Sequence, residues 1–368
     1  MDRGCALVVV WLGLAACGSP PGTSRFDSAS SGTEASSGDA STAAPGSTSG
    51  HASDTGGAAS GVDSTGTGVI FDVAVGDEGT PTGQGCSKID FLFVVDNSAS
   101  MGAHQSALLS SFGPFMDTIF ATVAAQDYHI MVVDSDGDAD ISGTCEPCIP
   151  NSFWCGDWCE AKADLDVACE TTLGAGEVAP YNNQASNTIC GVPDGRRYLT
   201  SDSAPDEIKS LFQCIGKVGI FGSGAELPMS ALVDAVTVES AAGGCNAGFL
   251  RDDAILVVTF ITDDYPVDLT PDNASTVGSP AAWVDAVVTA KGGNADNVVM
   301  LGIMNTPEAS CVRGAGTPVV HPTERFVEFV DGFDRGLTGN ICSTSYSAFF
   351  EEAVGLIDTA CDEYEPEG

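Results

Sequence analysis

The sequence predicts an α/β fold: a doubly wound, mostly parallel sheet flanked by helices, with a disulfide-rich insertion. Three observations carry this expectation. Two apolar runs, Ile89 to Val95 and Ala254 to Ile261, lack the polar alternation of a half-exposed strand and read as strands buried on both faces. Segments with helical spacing follow such runs in turn, as parallel strands joined by right-handed crossovers require. Between Asp134 and Cys214 that alternation stops, and seven cysteines crowd into a stretch of little periodicity.

The chain begins with Met1-Asp2-Arg3 and an apolar segment, Ala6 to Leu14, too short to span a bilayer but long enough for the core of a signal peptide over residues 1–16. It closes on Leu14-Ala15-Ala16-Cys17, which looks like the lipobox of bacterial lipoproteins, implying a lipid on Cys17. By the same resemblance, Gly18 rather than Asp in the next position implies the outer membrane or cell surface of a bacterial envelope. Residues 17–85 then form a tether. Its first fifty residues are nearly all Ser, Gly, Thr, Ala, Pro and Asp, and Arg25 is the only Lys or Arg among them. Such a composition buries too little apolar surface to offset its ordering entropy. A flexible coil of that length reaches roughly 40 Å.

The remaining segment, 86–365, is long enough for one domain with an insertion at about 135–214. After the first strand, the stretch from Gln105 to Ala125 carries Leu108, Leu109, Phe112, Phe115, Met116, Ile119 and Phe120 at helical spacing, the buried face of a helix. Tyr128 to Val133 reads as the next strand. Further helices are expected at Pro228–Val238, Pro280–Ala290, Thr323–Phe329 and Tyr346–Thr359, with strands at Ala254–Ile261 and Asn297–Ile303.

Each long apolar run ends on acids. The first is followed by Asp96-Asn97-Ser98-Ala99-Ser100-Met101, a tight loop with one carboxylate and two hydroxyls on alternate residues; the second ends in Thr262-Asp263-Asp264. In an open α/β sheet, ligands sit outside the carboxyl ends of the strands. Hard oxygens of this kind suit Mg²⁺, which retains several waters and few carboxylates. The pair of motifs resembles the von Willebrand factor type A (VWA) family, Rossmann-like in architecture, with its metal-ion-dependent adhesion site. Asp96, Ser98 and Ser100 match the family's Asp-x-Ser-x-Ser motif, and Asp263 matches the acid ending its fourth strand. The resemblance implies Mg²⁺ (or Mn²⁺ or Ca²⁺) at this site, and capture of a protein or glycan ligand whose acidic group completes the metal's shell. The family also supplies a Thr before a helix containing Ala-Leu. Here the loop before Ala231-Leu232 holds no Thr. Glu226 falls near the Thr position by counting, whereas Ser223 is the closer chemical substitute.

A second acidic stretch, Asp134-Ser135-Asp136-Gly137-Asp138-Ala139-Asp140, resembles a calcium loop that could take a second Ca²⁺. Ala139 stands where an EF-hand needs Gly, and a solvated acidic loop is the competing reading.

Fourteen cysteines, less Cys5 in the signal and Cys17 at the lipid site, leave an even twelve. Cys145, Cys148, Cys155 and Cys159 have spacing that also fits zinc, but in an exported protein disulfides are the expected use. Seven cysteines lie in 145–214 and five outside, so complete pairing needs a bridge between insertion and sheet domain. Cys214–Cys245 is the pairing expected for it. Cys86 with Cys361 is expected to close the ends, as in disulfide-closed A domains.

The mature chain carries 50 acids and 12 Lys or Arg, a net charge of −38. That excludes nucleic acid as a partner and leaves the lipid as the only expected membrane contact. No Gly-x-Ser-x-Gly elbow, P-loop, dinucleotide fingerprint or His-Glu-x-x-His occurs. His104 stands near the metal loop and reads as a surface residue at a helix start rather than a base. The expectation is a binding protein, not an enzyme, with an inert structural envelope protein as the alternative.

Overall fold

A computed structural model describes residues 86–123, 125–135, 168–222, 227–263, 278–306, 312–313, 317–318 and 324–364. The signal peptide, Cys17, the tether, Cys145, Cys148, Cys155 and Cys159, and residues 136–140, Ser223 and Glu226 lie outside them. All described residues belong to one compact unit, Val75–Gly368.

The chain runs β1 (Lys88–Val95), α1 (Gly102–Thr122), β2 (Asp127–Asp134), β3 (Leu199–Thr200), α2 (Pro205–Ile215), α3 (Pro228–Val236), β4 (Ile255–Ile261), α4 (Pro280–Ala290) and β5 (Val298–Met304). It continues through a short antiparallel pair, β6 (Val312–Arg313) and β7 (Thr317–Pro318), then α5 (Glu324–Asp331), β8 (Gly336–Asn340) and α6 (Ser347–Asp362). Six strands form one sheet in the order β3-β2-β1-β4-β5-β8, parallel throughout except for β3 against β2.

The apolar runs are explained by burial on both sides. On β1, Ile89, Phe91, Phe93 and Val95 face one core with α1, α2 and α6, while Leu92 and Val94 face the other with α3, α4 and α5. On β4, Val257 and Ile261 join the first core, and Leu256, Val258 and Phe260 the second. Aromatic rings lock helices to strands: Phe93 meets Phe212 of α2 edge-on at 4.9 Å, and Phe115 of α1 meets Phe350 of α6 at 4.7 Å. Burying a side chain of this size is worth about 1.5–3 kcal/mol, and such side chains lie on both faces of the sheet.

Three disulfides join described residues: Cys86–Cys361, Cys169–Cys245 and Cys190–Cys214. The first is the expected closure of the ends, reinforced by Cys86 N–H donating to the Cys361 carbonyl at 2.9 Å. Cys169–Cys245 is the bridge from insertion to sheet domain that parity demanded. The expected Cys214–Cys245 pair is corrected. Cys214 ends α2 and packs on the first core, whereas Cys245 follows α3, which covers the second core. The sheet stands between them, and spacing in sequence carries no information about which face a helix covers. Structural disulfides of this kind mark an extracellular or envelope protein. No helix among the described residues is long and apolar enough to cross a membrane.

The segment read as aperiodic up to Cys214 contains two elements of the sheet domain itself. Edge strand β3 escapes detection because only Leu199 and Thr200 pair with β2. Helix α2 has Ile208, Phe212 and Ile215 on its buried face and Pro205 in its first turn, a start signal hidden by the surrounding cysteines.

Candidate metal centre

The order of the strands reverses between β1 and β4: chain connections lead from β1 outward to β2, and from β4 outward to β5 and β8. Loops leaving the two central strands therefore diverge and open a crevice at the carboxyl edge, the place where open α/β sheets hold ligands. The register sets Val95 beside Ile261, so the loops beginning at Asp96 and Thr262 start side by side.

Asp96 is fully buried and held from both sides. Its amide donates to the Ile261 carbonyl at 3.0 Å, the Thr262 hydroxyl donates to its Oδ2 at 2.6 Å, and the Ser98 amide donates to its Oδ1 at 2.7 Å. The Ser98 and Ser100 hydroxyls lie 3.3 Å apart, Ser98 half-buried and Ser100 exposed. Met101 turns inward and anchors the loop in the core. Asp263 is buried beside them, its carbonyl accepting from Asn305 Nδ2 at 2.9 Å. Burial, and then the charge of Asp263, push the Asp96 carboxyl up to about 6. The structure thus brings Asp96, Ser98, Ser100 and Asp263 to one rim.

Ser223 and Glu226 lie outside the described residues, so their roles as ligands stay as the sequence left them. Their neighbours are fixed. Gly222 N–H donates to the Asn97 carbonyl at 3.0 Å, and Leu227 N–H to the Ser135 carbonyl at 2.9 Å. A Cβ on Gly222 would collide with the Asn97 side chain, so glycine is required for this approach. Of the second acidic stretch, Asp134 and Ser135 are described. The Asp134 carboxylate accepts from Asn97 Nδ2 at 3.1 Å and therefore helps to brace the first loop.

Sequence reasoning missed the residues that hold the loops together. Gln105, buried in the first turn of α1, donates through Nε2 to the carbonyls of Asp96 (2.9 Å) and Gly219 (2.6 Å), and its Oε1 accepts from Gly219 N–H at 3.2 Å. One amide thereby ties the loop after β1 to the loop before α3. Its signal was present: Gln105 precedes Leu108 and Leu109 by three and four residues and so shares their buried face. Thr262 was legible only as a polar residue closing an apolar run. His104 is half-buried rather than a free surface residue; its Nδ1 lies 3.3 Å from the Tyr346 hydroxyl, which itself donates to the Ile341 carbonyl at 3.0 Å. Burial lowers the His104 pKa, with the nearby Asp263 charge opposing it.

The donor set fits a hard divalent cation: two buried carboxylates and two hydroxyls, all oxygen, with the charge of Asp263 adding to burial in raising the Asp96 carboxyl. Among the described residues no group of three or more His, Cys, Asp or Glu side chains is placed to hold an ion, so any ion here would depend on the serine hydroxyls and water as well.

No protein-family model and no curated protein sequence matches the chain. Among solved structures it is similar to proximal thread matrix protein 1 from the mussel byssus, at 12% identity, covering 74% of this chain and 49% of that one, with a TM-score of 0.37. It is similar to the pilus adhesin SpaC from Lactobacillus rhamnosus GG at 12% identity, covering 76% and 31%, with a TM-score of 0.38. The human COPII-coat protein Sec24c follows at 8% identity, covering 75% and 33%, with a TM-score of 0.33. The chain spans half or less of each of these proteins, and likeness at this level carries no argument about function.

Proposed function

We propose that this chain is an exported, lipid-anchored member of the VWA type that binds a protein or glycan ligand through one divalent cation. Asp96 and Asp263 would hold the ion with Ser98 and Ser100, and Ser223 or Glu226 would complete the protein's share. The bound ion would supply an open coordination position for an oxygen of the ligand. The single observation that supports this reading is the pair of buried, like-charged carboxylates at the switch point of the sheet, with the Ser98 and Ser100 hydroxyls in the same loop. In the fold's interior a carboxylate pair costs free energy unless it shares a proton or a cation. A binding role rather than an enzymatic one fits the same surroundings, since the Tyr346 hydroxyl beside His104 is committed to a backbone carbonyl.

Titration calorimetry with Mg²⁺ and Mn²⁺ tests the proposal. The mature chain should bind one ion at this site, and Asp96→Ala should abolish the heat while leaving circular dichroism unchanged. An intact, folded chain that binds neither ion would leave the alternative, a structural envelope protein with an inert site.

A further inference from the structure

We propose that the loop surface beside Asp96 docks a neutral, hydroxyl-rich polysaccharide; this rests on the cation-binding reading above for its anchor point. The observation is one of charge. The chain has 51 acids in 368 residues, yet no Asp, Glu, Lys or Arg occurs from Asn97 to Met116 or from Val178 to Pro193, and Lys217 is the only one from Ile215 to Gly222.

These three stretches are contiguous in space. Ile220 N–H donates to the Asn183 carbonyl at 2.8 Å, Ser186 N–H to the Lys217 carbonyl at 3.0 Å, and Gly222 N–H to Asn97. The Gln184 amide oxygen lies just over Gly102 at the start of α1. The Cys190–Cys214 disulfide pins the far end, so a strip runs from that bridge to the metal loop. Gln184 and Asn187 are held at φ of 65° and 52°, the left-handed region that non-glycine residues enter at a cost and that functional loops retain.

The exposed side chains of the strip decide its partner. Asn183, Gln184, Asn187 and Thr188 are exposed, and amides and hydroxyls both donate and accept, the complement of sugar hydroxyls. Three large apolar side chains stand exposed among the described residues, and two belong here: Phe221 (50%) and Ile189 (37%). Phe221 directly precedes the glycine bonded to the loop after Asp96, so an exposed aromatic ring stands in the chain next to the proposed anchor point. Lys217 is the one charged side chain of the strip, so a protein ligand presenting several charged groups would leave most of them unpaired, whereas a neutral polyol brings no charge to pair.

The experiment uses the mature chain on immobilised dextran, mannan and galactan, with polyglutamate as the acidic comparison, in Mg²⁺ and in EDTA. Retention on at least one neutral polysaccharide in Mg²⁺ is expected, weakened about tenfold by Phe221→Ala, the loss of one stacked ring. Gln184→Ala should weaken it too, and both variants should bind Mg²⁺ as the wild type does. Normal Mg²⁺ binding with no retention on any neutral polysaccharide, or retention on polyglutamate instead, overturns the docking proposal and leaves the metal reading intact. Retention that survives EDTA but is lost in Phe221→Ala upholds the strip and removes the metal from it.

Discussion

Two buried aspartates bracket strand β1, Asp90 near its start and Asp96 directly after its end, and they have opposite company. Asp90 and Asp96 are both fully buried, and burial pushes each carboxyl up to about 6. At the amino edge of the sheet, Asp90 is met by a cation from the chain itself. Arg251 donates to it from its backbone N–H at 2.7 Å and from Nε at 2.8 Å, and reaches on to Asp127 at 2.6 Å. Lys291, also buried, donates to the Arg251 carbonyl at 2.6 Å. At the carboxyl edge, Asp96 is met by hydroxyls and by a second carboxylate, Asp263. Burial alone therefore does not distinguish a structural acid from a binding one. The sign of the neighbouring charge separates the two ends: Asp90 is neutralised within the fold, whereas Asp96 has a second acid beside it, and it is there that we propose a cation.

Removing the neutralising partner should give the largest effect. Arg251→Ala strands the Asp90 charge in the interior and should cost about 3–5 kcal/mol in urea denaturation. Asp96→Asn should raise the midpoint of the metal-free protein at pH 7, since it removes a repelled charge. Equal losses in both variants would erase the contrast.

The pH profile sharpens it. The folded pKa of Asp96 lies above its ordinary 3.8, so its contribution to stability is full below about pH 4 and is lost as pH rises through 6. Asp90 follows the same sign. His129, beside Asp90 and lowered by burial from 6.5 to about 4, works the other way: stability falls as pH drops from 6.5 towards 4. Asp96→Asn isolates the rim from these. Without metal, its stability relative to wild type should increase between pH 4 and 7 by roughly 3 kcal/mol, because the Asp96 carboxyl is pushed from 3.8 up to about 6. A flat difference would mean that the Asp96 carboxylate is already neutralised in the fold.

Mg²⁺ at a hundred times its dissociation constant should stabilise the wild type by about 2.7 kcal/mol and should leave Asp96→Ala and Asp263→Ala unmoved in thermal melts. The smallest effect is expected at the clamp. Gln105→Ala should cost about 1–3 kcal/mol by leaving buried backbone groups unpaired, and hydrogen exchange at the Gly219 amide should accelerate. Protection unchanged at Gly219 would show that the two loops are held without it.

Much of the site was written in local order. Asp96, Ser98, Ser100 and Asp263 could be named because each follows an apolar run, and a run buried on both faces states its own ending. Asp90 was invisible by the same logic: it sits inside the run, and only Arg251, 161 residues away, explains why a charge is tolerated there. Gln105 and Asn97 were missed because their partners, Gly219 in the loop before α3 and Asp134 at the end of β2, come from distant parts of the chain. The end-closing pair Cys86–Cys361 was legible from the places of the two cysteines before the first strand and after the last helix, and from the resemblance, whereas Cys214 went to Cys190 and not to Cys245 because helices α2 and α3 take opposite faces.

By itself the sequence determined the class of fold, the central strands, most helices and the acids at the strand ends, since periodicity and burial are properties of neighbouring residues. The tertiary structure decided which charges meet, which cysteines pair, and that β1 and β4 lie adjacent with their loops diverging. Those depend on strand order and on the face each helix covers, and neither is fixed by contacts within a segment.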